Sequence, residues 1–157
     1  MEIPLSPLRR VGVFLAGLLM SWFCLGGGML QAEAIASPAN QHMMTDITVQ
    51  LGTEAGELVF VPNHLEFSAG HRYRLRLENP SPTKHYFTAK DFADGIWTQK
   101  VQAAGVEVKG AIHELELQPG AAAEWVFVPL KPGTYNLRCI IAGHTEAGMT
   151  GEITIAP

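Results

Sequence analysis

The residue order HRYRLRLEN, His71 to Asn79, restricts the fold more than any other stretch of this chain. Tyr73, Leu75 and Leu77 alternate with Arg72, Arg74 and Arg76. Side chains on an extended strand point alternately to its two faces, so this strand buries one face and leaves the other wet. The same pattern recurs along the chain. DITVQL, ELVFVP, HLEFSAG and KHYFTA are strand candidates, and IHELELQPG and AAAEWVFVPLKPG each run into a Pro-Gly turn. TYNLRC alternates again, with Tyr135, Leu137 and Cys139 on one face, and TGEITIAP supplies a last strand. Short strands with turn signals roughly every eight to twelve residues predict an all-β fold, a Greek-key β-sandwich. Asp91 to Lys109 interrupts the pattern; it is too long for a tight hairpin and suits a short helix or an excursion over one end of the sandwich. No internal repeat or low-complexity segment accompanies it.

Upstream of these strands the chain has the grammar of an export signal. Arg9 and Arg10 precede an uncharged apolar run, Val11 to Leu25, and QAEAIAS offers A-x-A sites ending at Ala34 and Ala36. Cleavage after Ala34 or Ala36 is expected, giving a signal over 1–36, a flexible leader over 37–45 and one domain over 46–157, about 120 mature residues in all. The competing reading is an uncleaved anchor, because Val11 to Leu30 is about 20 residues without a charge. The helix-weakening Gly26-Gly27-Gly28 and the A-x-A pair favour cleavage, and hence an extracytoplasmic location such as the periplasm.

Export changes the meaning of the cysteines. Cys24 leaves with the signal, so the mature protein keeps Cys139 alone, without an intramolecular disulfide partner in an oxidising compartment. A net charge of −4 and the lack of a basic stripe argue against nucleic acid as a partner. No phosphate-cradling glycine loop and no nucleophile–base constellation is visible.

Cys139 opens the segment CIIAGHTEAGM, in which His144 and Met149 each follow a glycine. Taken singly, a strand-end cysteine is a small buried residue, a loop histidine is ordinary and a methionine fills gaps. Taken together, Gly143 and Gly148 let one loop turn a thiolate, an imidazole and a thioether toward a common point. This donor set is soft and suits copper, and a second imidazole would complete a His2Cys plane with a weak axial Met. His85 supplies it best, at the start of the KHYF strand just after the breaker NPSPT. His64, His71 and His113 lie in strand-like text without a nearby cysteine and are expected on the surface. His42, Met43 and Met44 form a soft cluster in the leader, read as flexible tail in preference to a second copper(I) site.

Two stretches then carry a resemblance. FVPNHLEFSAGHRYRLRLEN is similar to the early strands, and PGTYNLRCIIAGHTEAGMTGEITI to the last two strands and ligand loop, of the cupredoxins, the blue-copper family that includes plastocyanin, azurin and rusticyanin. The likeness runs over roughly residues 45 to 156, and the spacing Cys139-x4-His144-x4-Met149 is most like rusticyanin. It implies His85, Cys139 and His144 as strong copper ligands and Met149 as the axial one. One departure is Tyr86, which follows His85 where many members have an asparagine that ties the two ligand loops together.

The resemblance further implies a mononuclear blue-copper site that carries single electrons between redox proteins, with little geometric change between copper(I) and copper(II). Redox partners are expected to dock at an apolar patch around His144, from IIAG and TEAG. Phe92, Ile96 and Trp97 either extend that patch or are buried. The runner-up function is a carrier or assembly factor that delivers copper to a larger enzyme. Catalysis is not expected, because four protein ligands leave no open position for substrate. A monomer is expected, with a membrane tether if the signal is retained.

Overall fold

A computed structural model describes residues 43–157; the expected signal over 1–36 and most of the expected leader, His42 included, lie outside the described residues. The described strands form two sheets packed face to face, a β-sandwich. The six-stranded sheet contains β1 (Met44–Leu51), β2 (Phe60–Val61), β4 (Arg72–Glu78), β6 (Ile96–Ala103), β7 (Val106–Val108) and β9 (Ala122–Pro129), in the order β2-β1-β4-β9-β6-β7. The five-stranded sheet contains β3 (His64–Ser68), β5 (His85–Thr88), β8 (Glu114–Leu117), β10 (Gly133–Arg138) and β11 (Thr150–Ala156), in the order β3-β11-β10-β5-β8. The chain passes repeatedly from one sheet to the other, as Greek-key connections do.

The alternation that defined β4 has the expected consequence. Tyr73, Leu75 and Leu77 are buried, and β4 sits near the middle of its sheet, parallel to β1 and antiparallel to β9. Opposite Leu75 lies Trp125, which is wholly buried; its indole N–H donates to Thr98 Oγ1 at 3.0 Å. Phe67, Phe92, Trp125 and Phe127 meet edge-on or offset, the arrangement that aromatic quadrupoles favour. Among the described residues, which belong to one compact unit, the buried core runs from Val49 to Ile155.

Three expectations need correction. The leader is already strand at Met44, whose register partner is Arg72, because β4 offers it a ladder. ELVFVP contributes only Phe60–Val61 as strand, since Pro62 has no N–H to continue pairing. The 91–109 excursion holds the short helix expected of it and, where a passage over one end was the other expectation, a hairpin. One turn, α1 (Lys90–Ala93), buries Phe92 and Ala93, and β6 and β7 then add two strands to the six-stranded sheet. Phe92 is fully buried, so it forms no part of a surface patch.

Candidate metal centre

The end of β1, the start of β5 and the β10–β11 connection meet at one pole of the sandwich. Cys139 directly follows β10, and the ensuing turns bring the chain back to β11 at Thr150. Gly143 and Gly148 take φ of 85° and 101°, values that a side chain would strain. The loop is cross-braced. Met149 N–H donates to His144 O at 2.9 Å, Cys139 N–H to Met149 O at 3.1 Å, and Thr145 Oγ1 to Cys139 O at 2.7 Å. The segment that carries three of the candidate ligands is thus fixed by its own hydrogen bonds.

His85 approaches from the neighbouring strand. Its ligand-type nitrogen, the Cys139 sulfur and a His144 nitrogen all lie within 4.8 Å of one another. His144 Nδ1 is 3.5 Å from Cys139 Sγ, and the two imidazole centroids are 5.1 Å apart. His85, Cys139 and Met149 are fully buried, whereas His144 is half-buried. Burial first, and the neighbouring His144 second, hold the His85 pKa below its ordinary value, which favours the neutral imidazole a metal requires.

His85 Nδ1 is buried and has no hydrogen-bond partner. Its other nitrogen is cradled: Thr83 Oγ1 lies 3.3 Å from Nε2, Ser81 Oγ lies 3.2 Å from Thr83 Oγ1, and Asn79 Oδ1 accepts from Ser81 N–H at 3.0 Å. Gly52 closes the back of the cradle; a Cβ there would stand 2.8 Å from Nε2 and from Ser81 Cβ. An imidazole so held presents Nδ1 toward the thiol and the second imidazole. A buried polar atom without a partner is costly, and a soft metal ion is the group that fits this donor set. Tyr86 N–H donates to Cys139 Sγ at 3.4 Å, as suits a thiolate.

Tyr86 departs from the asparagine expected there by turning its side chain outward. Its hydroxyl donates to Glu116, and Lys84 Nζ lies 3.3 Å from the same carboxylate. The two ligand segments are joined instead by the Tyr86 N–H to Cys139 Sγ bond. His64, His71 and His113 are exposed, as expected. Gly52, Ser81 and Thr83 were not identified from sequence; the available signal was a polar residue at every second position before His85, in Asn79, Ser81 and Thr83.

A two-sheet sandwich with a His-Cys-His cluster at one pole defines the architectural class of small copper-binding β-proteins. A family model, the cupredoxin-like domain, matches residues 18–155, and the chain belongs to that family. It is 27% identical over 128 residues to the chloroplastic plastocyanin major isoform of Arabidopsis thaliana, covering 82% of this chain and 70% of that protein. Plastocyanin of Ginkgo biloba is 31% identical over 110 residues, covering 69% and 99%. A reduced auracyanin from Roseiflexus castenholzii superposes with a TM-score of 0.53 at 20% identity, covering 72% of this chain and 98% of that one, which shows the shared fold.

Proposed function

We propose that the protein is an extracytoplasmic electron carrier that holds one copper ion between His85, Cys139, His144 and Met149. The observation that carries this reading is the buried, partnerless Nδ1 of His85 beside a fully buried free thiol and a second imidazole. Bound copper would supply a one-electron couple between its +1 and +2 states. The chain's own residues do the rest. The Asn79–Ser81–Thr83 cradle fixes the His85 ring, the loop bonds fix Cys139 and His144, and Tyr86 N–H stabilises negative charge on sulfur. Donors set in advance need little rearrangement when charge changes, which is what fast electron exchange needs.

His144 is the half-buried member of the set, and Ile140, Ala142, Gly143 and Ala147 around it are exposed. This small apolar surface suits docking by redox proteins, with the domain acting as a monomer. Four protein ligands around the metal leave no position for a substrate, so the reading is of a carrier and not an enzyme. Residues 1–36 serve as the signal on this reading, followed by the leader and the copper domain.

The test is the visible spectrum after copper(II) is added to the metal-free protein. An intense thiolate-to-copper band at about 600 nm, lost in Cys139→Ser, is expected for a His2Cys site. No band in the wild type refutes the reading. Competition with a copper(I) chelator then separates the two copper functions: an electron carrier retains its metal, and a delivery protein yields it quickly.

A further inference from the structure

The pole opposite the metal centre has a surface chemistry of its own. At that end, register pairs Met44 of β1 with Arg72 of β4, and Val128 of β9 with Trp97 of β6. Tyr73 faces Phe127 across the β4–β9 ladder, so Arg72 and Val128 are neighbours and the four residues form one row. Tyr73 and Phe127 belong to the core, which turns Arg72 and Val128 to the outer face. Leu130 directly follows β9 at this end, and its N–H donates to Gly95 O, just before β6, at 2.9 Å.

Trp97 is 59% exposed, Leu130 56% and Met43 75%. Large apolar side chains gathered at one end of a sheet mark a contact surface more often than chance exposure does. Arg72 and Lys131 border them, both exposed, and neither takes part in an ion pair among the described residues. The nearby carboxylates are engaged elsewhere, Asp46 with Arg74 and Asp94 with Lys90 and His113. The patch therefore presents two basic side chains that no ion pair among the described residues neutralises.

We propose that this pole is a docking surface for a bilayer with anionic headgroups. Trp97 and Leu130 enter the interfacial layer, where an indole places its apolar body and polar N–H in matching surroundings. Arg72 and Lys131 lie against the headgroup phosphates. Docked this way, the domain holds the His144 end in the aqueous phase, free for a partner. Charge argues against a second copy as the occupant, since a two-fold contact would press the uncompensated Arg72 and Lys131 of both copies together. The proposal does not depend on copper.

The test uses residues 37–157, the compact unit that holds the whole described core, with vesicles of phosphatidylcholine alone or with one third phosphatidylglycerol. The domain is expected to sediment with the anionic vesicles at low salt and to be released by high salt. Arg72→Ser/Lys131→Ser should lower the partition coefficient more than tenfold, at about fivefold per basic residue. Trp97→Ser/Leu130→Ser should lower it as well, and wild-type indole emission should shift to the blue on binding. Thermal unfolding by circular dichroism confirms that each variant folds. Failure of the wild type to bind anionic vesicles, or equal binding by folded variants, overturns the proposal. So does a concentration-dependent dimer whose Trp97 emission shifts without lipid, which assigns the patch to a second copy.

Discussion

Gly52→Ala tests whether the back wall of the His85 cradle governs the site. Gly52 has φ of 77°, and an added Cβ would stand 2.8 Å from both His85 Nε2 and Ser81 Cβ. His85 and Ser81 are 0% and 1% exposed and hydrogen-bonded, so neither can withdraw freely. Gly70 is the natural control, since its φ of 78° imposes the same backbone strain while its Cβ would meet nothing within 4 Å. An alanine in this left-handed region costs about 1–2 kcal/mol. Overpacking against fixed neighbours adds about 1–3 kcal/mol. Gly70→Ala should thus lose about 1–2 kcal/mol and Gly52→Ala about 2–5 kcal/mol, the difference being the cradle's share. Urea denaturation of the metal-free proteins, with unchanged slope, measures both. After copper addition, Gly52→Ala should alter the visible band, because the imidazole must move, whereas Gly70→Ala should leave it intact. Equal stabilities within about 0.5 kcal/mol would refute the idea that Gly52 is constrained by His85 and Ser81.

Two further outcomes follow from the same contacts. Thr83→Val removes the oxygen beside His85 Nε2 and should weaken copper binding about 10- to 100-fold, while Thr83→Ser keeps it; competition with a chelator of known affinity reads this, and a silent valine variant would dismiss the cradle. On the outer face, the Tyr86 hydroxyl, ahead of Lys84, holds the Glu116 pKa below its ordinary value, and Glu116 in turn raises that of Tyr86. Tyr86→Phe should move the Glu116 titration, followed by carbon NMR, back toward the ordinary carboxylate range. Because the folded-state pKa is depressed, this stabilisation is present above the unfolded-state pKa and fades as pH falls through the folded-state value. The stability gap between wild type and Tyr86→Phe should therefore narrow in acid, and a gap independent of pH would contradict the assignment.

Much of the protein was legible in its residues because the information was local. The two-residue period of Tyr73, Leu75 and Leu77 defines a half-buried strand wherever the chain goes, and Pro-Gly turns punctuate the strands without tertiary help. Cys139, His144 and Met149 lie close in sequence with a glycine before each of the last two, so one loop carries all three. His85 could be singled out because it opens a strand, and strand starts lie at the ends of a sandwich.

What the tertiary structure alone decided was which distant segments share space. Nothing local tells that Gly52 stands behind His85, or that Ser81 and Thr83 aim their hydroxyls at its far nitrogen; those contacts exist because β1 and β5 converge at one pole. The excursion after β5 carries no strong alternation, and it became helix and hairpin because Phe92 found the aromatic core and β9 offered an unpaired edge. Trp97, read either as patch or as core, went to the opposite pole because its register with Val128 turns it outward. Local order in a sequence sets the period, the turn and the donor type, whereas long-range pairing sets the neighbours, since that pairing is resolved only when the whole core closes.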